Sequence, residues 1–180
     1  PDGAAVNRTA ESSIEVTAQD RDGNTVPTFT GSVSLSLVKQ GVGGTYAATG
    51  DATISAASPT LVDGVFTWSN YTITGKVGSY KIVATYTDTA PDPAVDYTAT
   101  STAITVTNAA FYQLAVTGQP DGAAVNRTAE SSIEVTAQDR DGNAVTGFTG
   151  SVSLSLVKQG VGGTYAATGD ATISDRKSTR

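Results

Sequence analysis

The chain has 180 residues, carries a formal net charge of −6 and contains no Cys, His or Met. Without Cys or His it holds no thiol nucleophile, no zinc site of the usual kinds and no His-based acid–base catalyst, and its acidic balance argues against nucleic acid, which calls for a basic stripe. Gly, Thr, Ser, Ala and Val dominate, and no stretch sustains apolar positions at helical spacing, so the composition predicts an all-β protein with many turns.

The first strong pattern is Ser12–Asn24, SSIEVTAQDRDGN. Ile14, Val16 and Ala18 alternate there with Glu15, Thr17 and Gln19, the period of a half-buried strand, and Asp22-Gly23 closes it with a turn dipeptide. Thr30–Lys39 alternates most cleanly, with Val33, Leu35 and Leu37 on one face and Ser32, Ser34 and Ser36 on the other. Gln40–Gly44 is a glycine-rich connection, and Thr45–Ser55 is expected to hold a short strand pair around Tyr46 and Ile54. After the Asp63-Gly64 turn signal, Val65–Thr74 reads as a strand with Phe66 and Trp68 on one face. Gly75–Gly78 makes a turn, and Tyr80, Ile82, Ala84 and Tyr86 then alternate with Lys81, Val83, Thr85 and Thr87. Thr89–Asp96, with Pro91 and Pro93, is a loop rather than a central strand. Tyr97–Thr107 closes the series with Ala103, Ile104 and Val106, and Phe111–Val116 reads as the first strand of a further module. Seven or so short strands separated by turns predict an all-β, immunoglobulin-like β-sandwich, here without the Cys…Trp…Cys hallmark, so that Trp68 packs without a disulfide.

The chain also repeats itself. Pro1–Ser55 aligns with Pro120–Ser174 at a constant offset of 119 residues, and 52 of the 55 aligned positions are identical. Only Thr25/Ala144, Pro27/Thr146 and Thr28/Gly147 differ. A period of 119 residues is too long for a solenoid unit and suits one whole domain. The expected organisation is an Ig-like module over 1–108 that lacks its first strand, followed by the front part of a second, near-identical module over 109–174. That second part is expected to pack poorly and to leave open strand edges, while Phe111–Gly118 is expected to fold back and supply the first module's missing strand. Asp175–Arg180, DRKSTR, breaks the repeat and can be encoded by the opening of a common short-read sequencing adapter, so residues 175–180 are expected not to be native.

The stretches LAVTGQPDGAAV, SIEVTAQDRDGNAV, GSVSLSL, DGVFTWSNYTITGKVGSYKIVATYT and STAITVTN together resemble the tandem Ig-like repeats of large bacterial surface proteins. They are similar to the group-1 bacterial Ig-like domains of the invasin and intimin adhesins, and the likeness spans Pro1–Ser174. The resemblance implies an extracellular stalk of stacked sandwiches, located at the cell surface or secreted. It brings no catalytic residues and no counterpart of the receptor-binding tip domains.

Asp20, Asp22 and Asn24, with their twins Asp139, Asp141 and Asn143, resemble the opening of a calcium loop, because closely spaced oxygen ligands and a turning glycine suit a hard cation. The EF-hand spacing fails, since the twelfth position from Asp20 is Gly31 rather than Glu. A plain hairpin turn built on Asp-Gly, with Asn24 bonding locally, takes precedence, and calcium held between modules by these turns is the remaining metal reading. No other cofactor is expected. Tyr46, Trp68, Tyr80 and Tyr86 are assigned to the core rather than to a sugar-stacking face, and Tyr71 and Tyr97 are left open. Asn7, Asn70 and Asn126 begin N-glycosylation acceptor triplets of a kind common in a Ser/Thr-rich chain.

No pair of acids flanks a recognisable cleft motif, so the expectation is a protein that is not an enzyme. The expected function is a non-catalytic structural spacer in a bacterial cell-surface or secreted adhesin-like protein. Its partners would be the neighbouring Ig-like repeats of the same chain, with host or surface glycan and protein ligands reached only through other domains, and with no nucleic acid. The alternatives are an accessory module of an extracellular polysaccharide-degrading enzyme, or a carbohydrate-binding module.

Overall fold

In the computed structural model the described residues are 4–5, 13–90, 94–119 and 132–167. They form strands and no helix, and the chain divides into two compact units, Pro1–Thr146 and Gly147–Arg180. The repeat boundary near Ala109 thus lies inside the first unit.

In chain order the first unit carries β1 (Ala4–Ala5), β2 (Ile14–Thr17), β3 (Ser34–Gln40), β4 (Tyr46–Ala48), β5 (Ala52–Ala56), β6 (Thr60–Val62) and β7 (Val65–Trp68). These are followed by β8 (Tyr71–Gly75), β9 (Gly78–Asp88), β10 (Val95–Thr100), β11 (Ile104–Thr107), β12 (Gln113–Gly118) and β13 (Glu134–Gln138). The second unit holds β14 (Val157–Gln159) and β15 (Tyr165–Ala167).

The longest strand, β9, is the axis of the larger sheet, with order β1-β11-β9-β3-β4 and β10 also paired to β9. One edge of β9 pairs antiparallel with β3, from Ser34 opposite Thr85 to Lys39 opposite Tyr80. The other edge is shared. β11 lies opposite Gly78–Tyr80, and β10 opposite Val83–Asp88. Ser101 fills the gap between them: its Oγ accepts the Ile82 N–H at 2.9 Å, and its own N–H donates to the Ile82 carbonyl at 2.9 Å. Tyr97–Thr107 is therefore two strands on one edge, separated by a corner that keeps the β9 backbone satisfied.

The facing layer consists of β2-β7-β6 and β5-β8. Between the layers lie Ile14, Leu37, Ala52, Phe66, Trp68, Tyr71, Ile73, Tyr80, Ile82, Ile104 and Val106, all buried. Each large apolar side chain buried here contributes about 1.5–3 kcal/mol, and Phe29 caps one end with edge-to-face contacts to Phe66 and Tyr86, at 5.9 and 4.9 Å between ring centroids. This is a two-layered, all-β sandwich core.

Three expectations need correction. Val65–Thr74 is not one strand but two in different sheets, β7 paired with β2 and β8 with β5. The buried positions change parity, from Phe66 and Trp68 to Tyr71 and Ile73, and a continuous strand cannot bury both sets on one face. Tyr46 and Ile54 likewise do not belong to one strand pair: β4 closes on β3, whereas β5 crosses to the other layer. Finally, Phe111–Gly118 does not fold back onto the first copy. β12 pairs with β13, Leu114 opposite Ala137 and Val116 opposite Val135.

The alternating run Thr30–Lys39 enters the sheet only at Ser34, because Phe29 ties the preceding residues to the end of the core. The Asp63-Gly64 turn is as expected, joining β6 to β7 with both residues at positive φ, 46° and 77°. That pattern is a type I′ hairpin turn. A side chain on Gly64 would run into the Val26 carbonyl, so this position requires glycine. Pro91 and Pro93, the acceptor triplets at Asn7 and Asn126, and residues 175–180 lie outside the described residues.

In the second unit, β14 and β15 form a hairpin with Gln159 opposite Tyr165. Val152, Leu154, Leu156 and Val157 are exposed there, although their first-copy equivalents Val33, Leu35, Leu37 and Val38 are buried or half-buried. The same letters have two outcomes because the sequence contains a single copy of β9, the strand against which Leu35 and Leu37 pair.

Candidate functional site

The two Asp-Arg-Asp-Gly-Asn segments have the same internal geometry. In the first, one Asp20 carboxylate oxygen accepts the N–H groups of Asp22 at 3.0 Å and Asn24 at 2.8 Å. The Asn24 side-chain amide donates to both carboxylate oxygens, at 3.1 and 3.3 Å, and Gly23 turns the chain at φ 86°. In the second, Asp139 accepts from the N–H groups of Asp141 and Asn143 at 3.0 and 2.9 Å, and from the Asn143 side chain at 3.0 and 3.2 Å. Gly142 sits at φ 77°. An aspartate that bonds the backbone two residues on, ahead of a glycine at positive φ, accounts for this loop in both copies.

Their surroundings differ completely. All five residues Asp20–Asn24 are exposed, whereas Asp139 and Asn143 retain only 0% and 5% of their accessible surface. The second turn is seated on the Gly75–Gly78 turn between β8 and β9. The Asn143 side-chain amide donates to the Gly75 carbonyl at 2.8 Å, and its side-chain oxygen accepts the Val77 N–H at 3.1 Å. Asp141 accepts the Gly75 N–H on its carboxylate at 3.3 Å and the Lys76 ammonium on its carbonyl at 2.9 Å. On the far side of the turn, the Ala109 N–H donates to Asp139 at 3.0 Å. Asp139–Asn143 thus holds both the end of β8 and the join that leads from β11 to β12.

The receiving turn is shaped for this. Gly75 has φ 120°, and a side chain there would collide with the Asp51 carbonyl. The Lys76 N–H donates to that same carbonyl at 2.8 Å, and the Tyr80 hydroxyl donates to the Lys76 carbonyl at 2.7 Å. The peptide units that face Asn143 are therefore also held from within the first copy.

Electrostatics follow the hydrogen bonds. The Asn24 side chain and backbone, then the N–H groups of Asp22 and Gly23, hold the Asp20 carboxyl below its ordinary value. For Asp139, burial pushes the carboxyl up, but the bonds from Asn143, Ala109 and Asp141 outweigh it and hold it below the ordinary range as well.

Of the residues considered for calcium, the structure brings Asp20 to Asn24 and Asp139 to Asn143, and it leaves Asp22 exposed. Both oxygens of Asp139 already accept N–H donors, so a cation would have to displace them. Among the described residues no group of three or more His, Cys, Asp or Glu side chains is placed to hold a metal ion.

Trp68 and Tyr80 are buried, and Tyr46 and Tyr86 half-buried, as expected of core residues. Of the two left open, Tyr71 is buried and Tyr97 is 58% exposed, stacked on Tyr86 at 6.1 Å. Tyr86 and Tyr97 line an open cleft of about 460 Å³ with Val16, Phe29, Phe66 and Ala99. Sequence reasoning missed this cleft, which exists because β10 and β2 belong to different layers. It also missed Gly75, Val77 and Ala109 as partners of the acidic turn, since backbone donors and acceptors leave no side-chain signature. No protein-family model, curated protein or solved structure matches the chain.

Proposed function

We propose that the chain is part of a tandem array of Ig-like β-sandwich modules, acting as a non-catalytic structural spacer in a bacterial cell-surface or secreted adhesin-like protein. The observation that carries this reading is the seating of Asp139–Asn143 on Gly75–Val77. The join Asn108-Ala109-Ala110-Phe111 is short, without a flexible Gly/Ser linker, and its Ala109 N–H is bonded to the same turn. A joint fixed at two points suits a semi-rigid stalk, because it limits rotation between successive modules. The acidic, Ser/Thr-rich surface keeps such a stalk soluble and self-repelling. The described lining of the large cleft holds one carboxylate, Asp88, where a glycosidase would need two.

Residual dipolar couplings on the 180-residue chain test this. A fixed joint gives one alignment tensor for β2–β11 and for the β12–β13 hairpin together. Independent tensors would refute the spacer reading at its foundation. A carbohydrate-binding module is a second reading, favoured by the exposed Tyr97 over the cleft. It predicts saturable perturbation of Tyr86 and Tyr97 resonances by oligosaccharides, and silence across a panel of neutral and acidic sugars would remove it.

A further inference from the structure

We infer that the exposed turn Asp20–Asn24 is a docking surface whose occupant is the Gly75–Gly78 turn of a preceding copy of this repeat in the same chain. This deepens the array reading and rests on it. Identical parts lie in unequal surroundings. The segments Ser12–Asn24 and Ser131–Asn143 match letter for letter, and both fold into the same Asp-anchored loop with the same internal bonds. One is seated on a Gly-Lys-Val-Gly turn and is buried, while the other presents the same groups outward.

The covalent geometry fits the same occupant. Pro120 follows Gln119 directly, and Pro1 is its equivalent at the 119-residue offset. A copy placed ahead of Pro1 would therefore present its own Gly75, Val77 and Ala109 to Asp20–Asn24 at the chain separation that places them before Asp139–Asn143. The three substitutions between copies, at Thr25, Pro27 and Thr28, follow the turn and leave its five residues untouched. In the seated turn, recognition goes chiefly to main-chain groups. Asn24 would donate to a glycine carbonyl and accept a valine N–H, and Asp22 would accept a glycine N–H, as Asn143 and Asp141 do.

The test is the 180-residue chain carrying one more copy of residues 1–119 ahead of Pro1, with the side-chain amides of Asn24 and Asn143 followed by NMR and hydrogen exchange. In the extended chain the Asn24 amide takes on the chemical shift of Asn143, and its exchange slows roughly tenfold relative to the 180-residue chain, from two added hydrogen bonds. Asn24→Ala in the 180-residue part releases the Gly75 and Val77 amides of the added copy and leaves those under Asn143 protected. If Asn24 keeps its solvent-exposed behaviour while Asn143 stays protected, the inference is overturned and the array reading survives. If neither amide is protected, both fall.

Discussion

Asn143→Ala and Asn24→Ala are the same substitution in the same pentapeptide, and the structure makes their consequences differ. Each removes a side-chain amide that donates to an aspartate, Asp139 at 3.0 Å or Asp20 at 3.1 Å. Only Asn143→Ala also removes the bonds to the Gly75 carbonyl and the Val77 N–H. Those two groups are part-buried beneath the seated turn, so their loss leaves a donor and an acceptor poorly solvated. A neutral hydrogen bond contributes about 0.5–1.5 kcal/mol net, and the excess effect of Asn143→Ala over Asn24→Ala is therefore about 1–3 kcal/mol. At about 1.4 kcal/mol per factor of ten, the joint opens roughly 5- to 150-fold more often. Native-state hydrogen exchange reads this directly at the Gly75, Val77 and Ala109 amides, with the β9 amides as an internal reference for global stability. Equal effects of the two substitutions on these amides would show that the seating contributes nothing and that the joint is not fixed by it.

Three further outcomes are expected. Asp139 has a carboxyl held below its ordinary value by its hydrogen bonds, so it stabilises the joint above the unfolded carboxylate pKa of about 3.9 and loses that contribution as the pH falls through the lower folded value; exchange at Ala109 should be pH-independent in its protection factor from pH 7 to 5 and should rise only below about pH 4. Gly75→Ala forces a side chain against the Asp51 carbonyl at φ 120°, costing about 1–3 kcal/mol; thermal melting should fall and Asn143 should lose protection, and an unchanged melt would refute the strain argument. Tyr71→Phe removes a hydroxyl that is buried and, among the described residues, has no hydrogen-bond partner, so stability should hold or rise by up to about 1 kcal/mol, whereas a clear drop in melting temperature would reveal a partner.

Strand content was legible because period-2 alternation survives wherever one face is buried: Tyr80, Ile82 and Ala84 point inward as their spacing requires. What failed was sheet membership. The change of parity between Trp68 and Tyr71 was visible in the letters, but alternation alone does not say that a strand leaves one pair for another. β10 and β11 share an edge through Ser101, a residue with no strand signature of its own. Phe111–Gly118 was correctly read as a strand and wrongly partnered, since the neighbouring copy of SSIEVTAQ offered the same edge at closer range. At the candidate site the turn itself was legible from Asp-x-Asp-Gly-Asn. Its role at the joint was not, because the first copy shows it exposed and the second shows it buried with identical letters.

That contrast has a consequence for how a repeat array would tolerate change. The seated turn recognises the Gly75 carbonyl and the N–H groups of Gly75 and Val77, groups that every non-proline residue supplies. Of the receiving turn's side chains, Lys76 reaches the seated turn, its ammonium donating to the Asp141 carbonyl at an exposed position. Lys76→Ala should therefore leave protection at Val77 within about fivefold of the unsubstituted chain, because exposed charged contacts contribute about 0–1 kcal/mol. If Lys76→Ala instead opened the joint as far as Asn143→Ala does, recognition would reside in the lysine, and the joint would be specific to modules that keep it. If protection survives Lys76→Ala, the joint is read through the main chain, and in the proposed array copies could drift elsewhere as long as the glycine of the turn and the Asp-Asn pair are kept.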